Sequence, residues 1–91
     1  MIKVKDSEIH GKGLFSTKKI RKKTVLGKCE VIKTKEPNMY TLWVGKKMFD
    51  VTCDFKYINH SDKPNIVYYD DLTIVALKNI KPGEELTHKY E

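Results

Sequence analysis

The sequence predicts one small, mainly β domain, and three observations carry that reading. β-Branched residues dominate: eight Ile, seven Val and seven Thr stand against six Leu and a single Ala, Ala76, a balance that suits pleated strands better than helices. Short segments of alternating apolar and polar residues are separated by turn signals at close spacing, as in small β domains. The length of 91 residues has room for a single domain, 1–91, with one modest core, and no repeat, linker or low-complexity stretch divides it.

The expected elements follow in order. Ile2 and Val4 alternate with polar residues and suggest a first strand. Gly11-Lys12-Gly13 breaks the chain before the short apolar segment Leu14-Phe15. Thr24 to Ile32 is the next strand candidate, running through Gly27. Tyr40 to Val44, the turn Gly45-Lys46-Lys47 and Met48 to Val51 read as a hairpin. Ile66 to Tyr69, Asp70-Asp71 and Leu72 to Leu77 read as a second. In the turn Lys81-Pro82-Gly83, Pro and Gly stand where their backbone preferences belong. Glu85 to Tyr90 closes the chain. Helix is confined to Cys53 to Ile58 and the basic stretch Thr17 to Lys23, one or two turns each.

Composition excludes several classes of function. No apolar run approaches the ~18 residues of a membrane span, and the start Met-Ile-Lys-Val-Lys-Asp lacks a signal-peptide core. Two cysteines, Cys29 and Cys53, are too few for a four-thiolate zinc site and give no disulfide framework. A reducing, intracellular compartment follows: cytoplasm, or nucleus for a eukaryotic or viral source. The formal charge is +6, from 18 basic and 12 acidic residues, and Arg21 is the lone arginine. Base readout and phosphate clamps favour the arginine fork. The charge therefore reads mainly as solvated surface, able at most to attract nucleic acid or an acidic protein face without sequence preference.

Three clusters stand out from this background. Tyr57-Ile58-Asn59-His60-Ser61-Asp62-Lys63-Pro64-Asn65 gathers hydrogen-bonding side chains beside a stiffening proline; alone it is an Asx-type turn with a loop histidine. Gly11-Lys12-Gly13 lets a backbone approach a ligand closely, but alone it is a turn. The run Gly83 to Tyr90 alone is an edge strand.

In this order and spacing the three resemble one family, the SET-domain protein lysine methyltransferases. Gly11-Lys12-Gly13-Leu14-Phe15-Ser16 resembles the family's first motif. Tyr57-Ile58-Asn59-His60-Ser61, with Pro64-Asn65, resembles its central Arg-Phe-Ile-Asn-His-Ser-x-x-Pro-Asn signature. Ala76 to Thr87 resembles Ala-x-x-x-Ile-x-x-Gly-Glu-Glu-Leu-Thr, and Tyr90 falls at the family's tyrosine. Ile20 to Cys29 is a looser match to the second motif. The resemblance runs from about Ile9 to Glu91.

The resemblance implies a β-clip-like fold of small curved sheets in which the C-terminal segment forms a pseudoknot. It implies methyl transfer from S-adenosyl-L-methionine to the ε-amine of a lysine in a protein substrate, such as a histone or another basic protein. That amine, with a reference pKa of ~10.4, must lose its proton before it has a lone pair to offer. A narrow apolar channel and the cofactor's positive sulfonium both disfavour the ammonium, after which alignment does most of the work. By resemblance the backbone around Lys12, Gly13 and Leu14 lies along the cofactor's methionine end, and Asn59 and the backbone of His60 hold its amino group and adenine. Tyr90 orients the amine, and Tyr40 borders the lysine channel. No metal is implied.

The sequence also departs from the family. Lys23 stands where the second motif has Gly, Lys28 or Cys29 where it has Glu-Tyr, and His88-Lys89 where Phe-Asp often precedes the tyrosine. Only 17 residues separate Glu30 from Met48, so the insert that forms part of the substrate groove is short. Cysteine-rich flanks are missing, which leaves a minimal core. These departures support a second reading, a catalytically silent module that binds a protein or anionic partner. With one residue after Tyr90, an open channel is expected to need closing by a homodimer partner, another protein or the substrate. Trp43, Val44 and Met48 are candidates for that contact, although Trp43 serves equally as a cap on the core.

Overall fold

The structure is a computed structural model that describes residues 1–36, 41–44 and 46–90. Its strands are β1 (Ile2–Asp6), β2 (Lys12–Ser16), β3 (Val25–Lys28), β4 (Val31–Lys33), β5 (Thr41–Val44), β6 (Lys47–Val51), β7 (Asn59–His60), β8 (Ile66–Tyr68), β9 (Thr73–Ala76) and β10 (Thr87–His88). One turn of 3-10 helix covers Asp54–Tyr57. Mainly β is the observed class. The helix expected within Cys53 to Ile58 is that turn, whereas the basic stretch Thr17 to Lys23 holds no helix. Instead Ile20 forms a two-way backbone bridge with Ile80, at 2.9 and 2.7 Å. Buried Ile20 needs extended backbone to reach the core, and that requirement overrides the local lysines.

The strands make four small sheets. β1 and β2 are an antiparallel pair; β3-β9-β8 and β4-β6-β5 are antiparallel three-stranded sheets; β7 and β10 pair in parallel. The long strand expected from Thr24 to Ile32 is therefore two strands in different sheets. The break lies at Cys29-Glu30, preceded by a bulge between Val25 and Gly27. Gly27 has φ +151, and a Cβ there would meet the Phe55 ring at 3.4 Å. Bulge and glycine together turn the chain from one sheet into the next. Both hairpins form, with smaller shifts. β6 starts at Lys47 opposite Val44, one residue earlier than expected. Leu72 closes the second hairpin at φ +70, with its amide donating to Tyr69 O at 2.8 Å.

Leu14, Ile20, Ile66, Ile74, Ile80 and Leu86 are essentially fully buried and come from six separate segments. Each such side chain contributes about 1.5–3 kcal/mol by leaving water. The core thus ties together strands of different sheets.

The C-terminal segment is bonded along both edges. On one side Ser16 N donates to Glu84 O at 3.0 Å and Leu86 N to Leu14 O at 2.8 Å. On the other, β10 runs beside β7, Ser61 N donates to His88 O at 3.0 Å and Asn65 N to Thr87 O at 3.2 Å. The expected pseudoknot takes this form, a segment held between β2 and the 59–65 loop. Buried Asn65 clasps it: its Nδ2 donates to Glu85 O at 2.8 Å and Glu84 Oε2 at 2.9 Å, and its Oδ1 accepts from Thr87 N at 2.8 Å.

Candidate active site

A cavity of about 760 Å³ opens beside the β7–β10 pair. One wall is the chain from Ile9 to Lys12 that leads into β2, and another is the run Tyr57 to His60. β10 and Tyr90 contribute a third. The edge strands of the two larger sheets, β5 and β8, also line it through Leu42 and Tyr68. Residues of two outer strands, from different sheets, thus line one cavity.

Its polar framework is a knot around Glu85. Ser7 Oγ lies 2.8 Å from both carboxylate oxygens. Asn59 Nδ2 lies 2.8 Å from Glu85 Oε2 and 3.1 Å from each of Ser7 Oγ, His10 O and Lys12 O. One amide group therefore fixes the Gly11–Lys12 chain to the central motif and to the C-terminal motif at once. Asn59 Oδ1 accepts no hydrogen bond among the described residues, so it is the end of the amide left for an outside donor. A Cβ on Gly13 would stand 2.4 Å from Glu85 Oε2 and 2.9 Å from Ser7 Cβ. The absence of a Cβ at Gly13 makes room for that carboxylate and for Ser7.

His60 acts through both ring nitrogens. Tyr90 N donates to its Nδ1 at 3.1 Å, so that nitrogen carries the lone pair. The neutral ring then bears its proton on Nε2, 3.2 Å from Asp62 Oδ1. The Tyr90 backbone is thereby pinned to the central loop.

The Tyr90 hydroxyl donates to Ile58 O at 2.8 Å. Burial pushes this phenol up to about 12, against a smaller lowering by the neighbouring Tyr68 hydroxyl. Tyr68 is raised further still, again chiefly by burial and then by Tyr90. Between them stands His88, edge-on to each ring with centroids 4.8 Å apart. All three line the cavity, and both phenols stay protonated at neutral pH.

Of the residues expected in a site, Lys12, Asn59, His60 and Tyr90 line this cavity. Gly13 and Leu14 are buried behind it, with Leu14 in the core. Tyr40 lies outside the described residues. Trp43 is 53% exposed at the cavity mouth, so it does not cap the core. Met48 is half-buried, and nothing is described of the Val44 side chain. Sequence reasoning missed Glu85 and Ser7 as the knot and Tyr68 as the second buried phenol. Strand alternation carried a signal for Tyr68, because Ile66 two residues earlier is fully buried.

The model of the SET domain matches residues 11–91. The chain belongs to the SET-domain family. A search of curated proteins finds no match. Among solved structures, the crystal structure of a Plasmodium falciparum protein described as a "putative histone methyltransferase" superposes with a TM-score of 0.77 at 22% identity, covering 99% of this chain and 92% of that one. That likeness establishes the SET fold. The fold also explains one departure: Lys23, where the SET motif has Gly, adopts φ +73, a left-handed conformation that costs an L-residue about 1–2 kcal/mol and glycine nothing.

Proposed function

We propose that this SET domain is an S-adenosyl-L-methionine-dependent protein lysine methyltransferase. The observation that carries the reading is the half-buried Tyr90 hydroxyl, tied to Ile58 O in a cavity that Asn59 and the Gly11–Lys12 chain also line.

The donor set of the cavity fits the cofactor. Its ammonium needs acceptors, and Asn59 Oδ1 is an acceptor whose partner amide nitrogen is already fixed. When bound, the cofactor supplies an electrophilic methyl group on a sulfonium. Asn59 and the backbone at Lys12 and His60 hold it.

Tyr90 orients the lysine amine. Its own proton is committed to Ile58 O, so its oxygen offers lone pairs to an amine N–H. A phenol raised to about 12 is a poor base at neutral pH. Proton removal is instead favoured by surroundings that disfavour the ammonium: the Tyr68 and Tyr90 rings and Ile58 give this part of the cavity an apolar lining. An extended substrate segment has the β5 and β8 edges to lie between.

A calorimetric titration with S-adenosyl-L-methionine tests the reading. We expect saturable binding to one site, weakened by about tenfold or more in Asn59→Ala, since loss of a hydrogen bond to a charged group costs about 1.5–3 kcal/mol. Absence of binding to the folded protein contradicts it and favours the silent module.

A further inference from the structure

We infer that the cavity mouth selects lysines flanked by acidic residues; the inference deepens the proposed function and rests on it for the identity of the target lysine. The charged side chains that line the cavity are Lys12, Lys56 and Lys89 against one carboxylate, Asp70. These lysines differ in commitment. Lys12 Nζ lies 2.6 Å from Asp6 Oδ1, and Lys56 Nζ sits 5.1 Å from the Tyr57 ring centroid. Lys89 is exposed, adjoins Tyr90 and has no acidic partner among the described residues. It belongs to the His88-Lys89 pair that departs from the family's sequence pattern.

A lysine entering this mouth meets like charge. Two consequences follow from that geometry. Nearby cations disfavour its ammonium form and so assist the loss of the proton that methyl transfer requires. The same cations repel a segment rich in further Lys or Arg, while Asp or Glu beside the target pairs with Lys89. Acidic neighbours thus draw the segment to the mouth. The chain's charge of +6 acts in the same direction at longer range. Trp43 at 53% and Tyr69 at 54% exposure give the mouth two flat apolar faces for the segment's uncharged portions.

Trp43 is the single tryptophan of the chain, so its fluorescence reports binding at this mouth. Two synthetic peptides with one central lysine, flanked by Asp and Glu in one and by Lys and Arg in the other, are titrated at low and high salt. The acidic peptide is expected to bind at least tenfold tighter at low salt, with the gap closing in high salt. Lys89→Glu is expected to narrow or invert the preference. Equal or tighter binding of the basic peptide overturns the inference, as does a preference that Lys89→Glu leaves unchanged. A homopolymeric oligonucleotide that quenches Trp43 at lower concentration than the acidic peptide also overturns it, by assigning the mouth to nucleic acid. Adding S-adenosyl-L-methionine and measuring methylation separates the two claims. Acid-selective binding without transfer contradicts the proposed function alone, and transfer with a preference for the basic peptide contradicts this inference alone.

Discussion

Cys29 is buried and Tyr68 and Tyr90 partly so; all three are neutral when protonated, and their removal from water raises each of them. Tyr90 moves from 10.0 to about 12 and Cys29 from 9.0 to about 12. In the unfolded chain these groups release protons at their ordinary values, so between roughly pH 9 and 12 the native state holds more protons. Stability is therefore full at neutral pH and falls as pH rises through that window. The urea midpoint should stay level to about pH 9 and then decline, and Tyr90→Phe and Cys29→Val should each flatten the decline. A midpoint that holds steady to pH 11 in the parent protein contradicts the burial of these groups. At this scale the sequence was legible where a residue type is rare in its role. Asn59, His60 and Tyr90 fall together at one cavity because their motifs name them. Gly13 and Leu14 belong to an equally legible motif and are buried beside the cavity, where the resemblance assigns their backbone to the cofactor. Glu85 was unreadable as the knot: its partners Ser7 and Asn59 lie 78 and 26 positions away in the chain.

Elements meet through glycine and through breaks in the strands. β2 lies against the C-terminal segment because Gly13 admits the Glu85 carboxylate where a Cβ would stand 2.4 Å from Oε2. Gly13→Ala should thus destabilise the domain by about 1–3 kcal/mol, as overpacking does, read by urea denaturation. It should also disturb cofactor affinity through the Asn59–Lys12 contact. Unchanged stability contradicts the packing described. Alternation read the hairpins well, since cross-strand burial sets their register. It failed from Thr24 to Ile32, where β-branched residues on both sides of Gly27 look continuous. The bulge and the change of sheet depend on β9 and β6, which lie far along the chain. Thr17 to Lys23 failed for a related reason: local composition favoured a helical turn, and the pairing of Ile20 with Ile80 decided otherwise.

For the whole molecule, the decisive feature is the threaded C-terminal segment, which no periodicity could reveal. Only the resemblance implied it, because threading is rare among folds. Asn65 holds it on three sides, so Asn65→Ala strands the Thr87 amide and the Glu85 carbonyl in a buried setting. A loss of about 3 kcal/mol or more is expected, with amide exchange of Thr87 accelerating beyond that of β9; equal protection in variant and parent contradicts the clasp. The threading brings Tyr90 to the Asn59 loop through His60, and the methyl-transfer reading depends on that meeting. The most direct test is a methylation assay on lysine-bearing protein with S-adenosyl-L-methionine, comparing the parent with Tyr90→Phe at matched cofactor occupancy. The account predicts lysine ε-methylation by the parent and a fall of roughly a hundredfold or more in the variant, with fold and cofactor binding retained. Transfer by Tyr90→Phe at the parent rate, or a parent that binds the cofactor and methylates no lysine, contradicts it.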